Sequence, residues 1–149
     1  MKVNVEINAA IKNKYDKELL IQIAQKTIEI SDIVNCENKE ITLSVAIVDE
    51  VEMKRINKQL RGCNVVTDVL SIGDYSDEKN IAEETKIEIF LGEVILCYNY
   101  IERSACENND DVDKEFFTIY AHGVLHLLGF AHGKKMFRLQ DNIGKKFVK

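Results

Sequence analysis

Residues 122–132 read His122-Gly123-Val124-Leu125-His126-Leu127-Leu128-Gly129-Phe130-Ala131-His132, and they hold all three histidines of the chain. The first two are four apart in a stretch whose apolar spacing predicts a long helix over 114–128. At that separation the two imidazoles share one helix face, one turn apart, so both can reach a single ion at ~2.0–2.1 Å. Gly129 stands where the helix must stop, because glycine takes the left-handed terminal conformation without penalty. The turn swings His132 back toward the same ion. Three neutral nitrogens with an open fourth position is the arrangement of a catalytic zinc; a closed structural site would need a fourth protein ligand. The spacing therefore predicts one Zn²⁺ per chain, held by His122, His126 and His132, in a small intracellular metal-dependent hydrolase. Three imidazoles would also accept Ni²⁺ or Cu²⁺.

The same spacing occurs in the metzincin proteases, H-E-x-x-H-x-x-G-x-x-H. There the residue after the first histidine is the glutamate that takes a proton from the zinc-bound water. Here it is Gly123. Without that base, peptide hydrolysis by this route is not expected.

Working outward, residues 2–7 (KVNVEI) alternate with period two and read as a strand. Residues 16–31 carry Leu19, Leu20, Ile23, Ala24, Thr27 and Ile28 at helical spacing. Residues 40–48 (EITLSVAIV) are β-branched and apolar, a well-buried strand. Asp49 is an N-cap for a helix over 50–60, closed by Gly62. Residues 67–72 (TDVLSI) read as a third strand ended by Gly73, and 74–84 as a polar loop. A strand pair or long strand follows over 86–97, interrupted at Gly92 by a bulge or tight turn. A short helix over 98–106, an acidic loop that ends at Asp113 as a cap, and a last helix over 134–147 complete the chain. Strands come early and helices late, with no repeat and no linker, which predicts one α+β domain over residues 1–149.

Composition agrees with a compact soluble protein: 149 residues, 46% apolar and 30% charged, without proline or tryptophan. The N-terminus has no apolar core of a secretory signal, and no stretch approaches the ~20 apolar residues of a membrane span. Cys36, Cys63, Cys97 and Cys106 are widely spaced and are expected as thiols in a cytoplasmic protein. A net charge of −5 argues against coating nucleic acid with the whole surface, and DNA is not an expected partner. Local basic stretches remain: Lys54, Arg55, Lys58 and Arg61, and a second group at the C-terminus that includes Lys134, Lys135 and Arg138.

The residues also carry a resemblance. HGVLHLLGFAH closely resembles the H-G-x-L-H-L-x-G-Y-D-H signature of the YbeY family, metal-dependent endoribonucleases implicated in ribosomal RNA maturation. LSVAIVDEVEMKRINKQLRGCNVVTDVLSI resembles the family's strand–helix–R-x-x-x-x-P-T-D-V-L-S-F stretch. LGEVILC resembles its L-G-D-I-V-I-S strand, and MFRLQ (136–140) the M-F-x-L-Q of the closing helix. The resemblance implies an α+β fold with a zincin-like metal site on a helix, beside a mixed β-sheet packed with helices. It implies a basic cleft leading to the metal. His122, His126 and His132 match the ligands, and Arg61 matches the functionally important arginine, a group that grips phosphate bidentately and steadies developing charge. Thr67, Asp68 and Ser71 match the T-D-V-L-S stretch and are expected, with Lys58, to line the cleft and hold RNA; Thr67 and Asp68 equally suit strand-start caps.

The implied function is a zinc-dependent, single-strand-specific endoribonuclease acting in maturation of the 16S rRNA 3′ end and in ribosome quality control. Its implied partners are ribosomal RNA and the small subunit or its proteins. The alternative is a ribosome-associated binding factor whose zinc is mainly structural. Four departures from the family pattern bear on activity. Tyr-Asp before the last histidine is Phe130-Ala131, the proline before Thr67 is Val66, the aspartate of L-G-D is Glu93, and the acidic segment between the last histidine and the closing helix is shortened to Gly133-Lys134-Lys135. Loss of the carboxylate at 131 removes a group that would orient a ligand.

Overall fold

Val3 and Val5 are buried while their neighbours face out, so Lys2–Ala9 forms an edge strand (β1) with one apolar face. Lys17–Ser31 follows as an amphipathic helix (α1), capped by Asp16, whose carboxylate accepts from Leu19 N at 2.8 Å. Glu40–Val48 (β2) is buried on both faces at its end. The helix Glu50–Arg61 (α2) starts at Asp49, whose carboxylate accepts from Glu52 N, and stops at the left-handed Gly62. A short strand Val69–Ile72 (β3), one helical turn Asp74–Asp77 (α3) and the long strand Glu88–Cys97 (β4) come next. Three helices complete the chain: Tyr98–Glu107 (α4), Val112–Leu127 (α5) and Lys134–Phe147 (α6). The computed structural model describes residues 1–35, 37–77 and 79–149.

The four strands form a mixed sheet in the order β1-β2-β4-β3. β1 and β4 run parallel to β2, and β3 lies antiparallel to β4 at the edge. One face carries Ile41, Leu43, Val45 and Ile47 of β2 with Ile89, Leu91, Val94 and Leu96 of β4, and meets α1 and α5 in the main core. The other face carries Ala46, Val48, Leu70, Ile95 and Cys97, which pack with Met53 and Ile56 of α2, with Val66 and with Tyr100 of α4. Each fully buried aliphatic side chain contributes about 1.5–3 kcal/mol relative to exposure.

Helix α5 is the centre of the molecule. Phe116, Phe117, Tyr120, Ala121, Val124, Leu125 and Leu127 are all buried, and the fully enclosed Tyr120 hydroxyl donates to Leu20 O of α1 at 3.0 Å. Its start is clamped by the segment between β1 and α1: Tyr15 stacks on Phe116 with ring centroids 4.0 Å apart, and its hydroxyl donates to Asp113. Helix α6 lies directly on α5, with Gly144 so close to Thr118 that a Cβ there would run into the Thr118 hydroxyl oxygen.

Several boundaries differ from the sequence expectation. The cap of α5 is Asp111, which accepts from Lys114 N at 3.0 Å. Asp113 sits inside the first turn because Lys14 (2.7 Å) and the Tyr15 hydroxyl claim its carboxylate. The segment 74–84 is not a plain loop, since it contains α3 and a 3₁₀ turn over Ile81–Glu83. The interruption at Gly92 is a bulge in one continuous strand: Thr42 pairs with Phe90 and Leu43 with Gly92, leaving Leu91 extra. Cys97 is buried, Cys63 and Cys106 are exposed, and all three are free thiols; the expectation for Cys36 falls outside the described residues. No helix among the described residues is long and apolar enough to cross a membrane.

Candidate metal centre

The two helical histidines face away from the core on α5, and the chain then reverses. Gly129 takes a φ of 96°, a left-handed conformation that a side chain would strain. Phe130, half buried, anchors the turn on the core, and His132 returns beside the first two rings. The three Nε2 atoms stand 3.0 Å (His122–His126), 2.9 Å (His126–His132) and 3.3 Å (His122–His132) apart. Four ligands placed tetrahedrally at ~2.0–2.1 Å from an ion lie roughly 3.3 Å from one another, so the spacing fits one small cation.

Proton bookkeeping gives a second test of fit. Nδ1 of His122 donates to Gln140 Oε1 at 2.6 Å, and Nδ1 of His126 donates to the Phe130 carbonyl at 3.0 Å. Both partners are acceptors, so in the neutral rings the proton resides on Nδ1 and the Nε2 lone pairs are bare. Two bare lone pairs 3.0 Å apart repel unless a cation lies between them. Burial, and next the neighbouring His122, lower the pKa of His126, which favours the neutral form a ligand needs.

Gly123 has a packing reason of its own. A Cβ at this position would stand 2.7 Å from Val94 Cγ1 and 3.3 Å from Ser71 Oγ. Helix α5 thus presses its backbone onto β3 and β4 where metzincins carry their glutamate. A side chain there would have to displace Val94.

A cavity of about 430 Å³ opens in front of the triad. Arg61, Thr67, Asp68 and Ser71 line it together with the three histidines, and Val69, Leu70 and Ser76 complete the wall. Arg61 is the last residue of α2, exposed at the cavity lip, and Gly62 turns the chain away behind it. Thr67 and Asp68 line the cavity; Asp68 Oδ1 accepts from Val69 N at 2.7 Å at the entry to β3, and the Thr67 hydroxyl donates to Asp68 Oδ1 at 3.4 Å. Ser71 donates to Gly123 O at 2.9 Å, tying the edge strand to the helix that bears the triad. Lys58 is exposed on α2 but does not line this cavity. Three residues before Arg61 is about 300° of helical turn, so its side chain points roughly 60° aside. Glu93 lies on β4 opposite Ile72 and also outside the cavity wall. Of the C-terminal basic residues, Arg138, Lys145 and Lys146 line a separate surface depression with Asp141.

Gln140 was not singled out by its residue type. The signal was present in the pattern of α6: Met136 and Ile143 face inward, and Gln140 is the polar residue on that same i, i+4, i+7 stripe.

Fold and site together define a single-domain α+β protein whose central helix, with the turn that follows it, brings three histidines within metal-binding distance of one another. A family model described as Endoribonuclease YbeY matches residues 6–148. An endoribonuclease YbeY of Sulfurihydrogenibium sp. is 33% identical over 157 aligned positions, covering 99% of this chain and 98% of its own. That of Staphylococcus saprophyticus is 38% identical over 112 positions, with 70% of this chain and 71% of its own covered. A solution structure of a Thermotoga maritima protein superposes with a TM-score of 0.59 at 27% identity, covering 95% of this chain and 87% of that one. The chain belongs to the YbeY family of endoribonucleases, hydrolases acting on RNA phosphodiester bonds.

Proposed function

We propose that this protein is a zinc-dependent endoribonuclease of single-stranded RNA that acts in the cytoplasm on ribosomal RNA, at the 3′ end of the 16S molecule, and in ribosome quality control. The small ribosomal subunit or its proteins would be the partner that presents the substrate. The observation that carries the metal reading is the triad, whose three Nε2 atoms converge to within 3.3 Å with two of them bare. When bound, zinc supplies Lewis acidity toward a phosphate and water of lowered pKa.

The chain's own residues supply the rest. His122, His126 and His132 would hold the ion. Arg61 at the lip pairs with a phosphate in two parallel hydrogen bonds and offsets charge as it develops. No histidine is left to move a proton. Among the described residues Asp68 is the one carboxylate on the cavity wall, so the base role falls to it rather than to Glu93. Thr67 offers a hydroxyl beside it. Ser71 is committed to Gly123 O and acts by holding β3 in place.

The test is cleavage of single-stranded RNA by protein of defined zinc content, beside His126→Ala and Arg61→Ala. Wild type is expected to cleave. His126→Ala should lose both metal and cleavage, and Arg61→Ala should retain metal while losing about 10²–10³-fold in rate. Equal cleavage by all three would identify a contaminant and sink the reading. Co-sedimentation with ribosomal subunits without cleavage would instead establish a binding factor.

A further inference from the structure

A second hollow, of about 280 Å³, adjoins the triad cavity and shares Arg61, Leu70, Ser71 and Ser76 with it. Its own walls are Leu60, at the end of α2, and Ile72 and Gly73, at the end of the edge strand β3. Leu60 and Ile72 are 49% and 42% exposed, and Leu70 between them is buried. Single exposed aliphatic side chains are ordinary on protein surfaces. Here two of them line one slot, and among the described residues the slot's only charged one is the Arg61 it shares with the triad cavity.

We infer that this slot receives a nucleobase of the RNA strand, the base of a nucleotide whose phosphate lies at Arg61 and the triad. The inference rests on the nuclease reading of the triad cavity and names a subsite beside it. A nucleotide is flat and apolar at one end and anionic at the other. The slot repeats that division, with Leu60, Leu70 and Ile72 for the faces of the base and a guanidinium at the junction for the phosphate. Aliphatic walls grip any base by its face. The two hydroxyls that also line the slot already donate to protein carbonyls, Ser71 to Gly123 O and Ser76 to Gly73 O. No side-chain hydroxyl proton is left to read an edge, so the slot is tolerant of sequence. It is not tolerant of pairing. A base must leave its stack to enter, which is free of pairing cost in a single strand and costs a few kcal/mol in a duplex. Selection of single strands would therefore reside in Leu60 and Ile72 rather than in the metal site. The unpaired outer edge of β3 could alternatively accept a peptide strand, and the experiment separates the two.

The test uses zinc-loaded protein and a phosphorothioate RNA tetranucleotide, intact or with one base deleted at each position in turn. Binding is followed by fluorescence anisotropy for wild type and for the double variant Leu60→Ala/Ile72→Ala. Zinc content and melting temperature serve as controls for folding, and the single variants substitute if the double variant melts early. Deleting the base at one position should weaken wild-type binding about 10-fold, the double variant should weaken the intact tetranucleotide by a similar factor, and the two losses should not add. Losses that multiply, or a variant that binds intact RNA as wild type does, overturn the subsite. So does a variant that loses only a strand-forming peptide. Binding that follows the expected pattern without any cleavage of unmodified RNA would overturn the nuclease reading and leave the base slot standing. A wild type that binds no RNA removes both.

Discussion

Gln140 Oε1 lies 2.6 Å from Nδ1 of His122, so α6 sets the ring of a ligand carried by α5. The contact fixes the tautomer and the ring angle together. Gln140→Ala should lower zinc affinity about 10–100-fold in a chelator competition while far-UV circular dichroism stays unchanged. Gln140→Glu keeps an acceptor at that place and should recover most of the loss. Wild-type affinity in Gln140→Ala would dismiss the orienting role.

Ala131 behaves differently. The signature that this segment resembles has an aspartate there, yet His126 is oriented by the Phe130 carbonyl and His122 by Gln140. Neither depends on the side chain at 131, which is exposed. Restoring the carboxylate with Ala131→Asp should change zinc affinity by less than about 10-fold, well below the Gln140 effect. Isothermal titration of both variants in one buffer ranks them, and the opposite ranking would show that position 131 governs the site.

Gly123→Ala should destabilise the protein by ~1–3 kcal/mol, because its methyl lands on Val94 with nowhere to move. That corresponds to a fall of about 3–10 °C in melting temperature. Val94→Ala opens the space, and the two substitutions together should cost less than their sum. Gly123→Glu would recreate the metzincin motif in letters only. It should yield insoluble protein and no peptidase activity, and a soluble, zinc-loaded peptidase would contradict the packing argument.

Much of this was legible in the chain before any coordinates. Asp49 announces its helix because an aspartate one step before an apolar stripe has few other uses, and the histidine spacing needs only helical geometry. Asp111 and Asp113 show where such reading ends. Both suit an N-cap, and the choice is made by Lys14 and Tyr15, about a hundred positions away. The edge position of β3 and the empty flank beside Leu60 and Ile72 depend on strand order, which local periodicity does not encode. Gln140 was visible only as a polar residue on an apolar stripe, and its partner came from another helix.

Glu115 gives a pH dependence with a definite sign. Burial raises its pKa first, and the negative charges of Asp110, Asp68 and Asp141 add to the effect. A carboxyl whose folded pKa is raised binds its proton more tightly in the folded state. Its stabilising contribution is therefore complete below the unfolded value of about 4.3 and is lost as pH rises through the folded one. At neutral pH the ionised group is a cost. Glu115→Gln should raise the melting temperature at pH 7 by about 2 °C, on the order of 0.5 kcal/mol after allowing for solvent screening. The gain should vanish below about pH 4. A gain of equal size at both pH values would assign it to packing instead.

The near-contact of Gly144 with Thr118 gives a glycine far along the chain authority over the metal. A single added methyl at 144 would have to push the Thr118 hydroxyl aside or lift α6 from α5, and the second course carries Gln140 away from His122. In a saturation scan scored by growth, Gly144 should therefore group with the histidines, although it touches none of them. A map of intolerant positions would draw the site larger than its chemistry, with an outpost defined by the absence of a side chain.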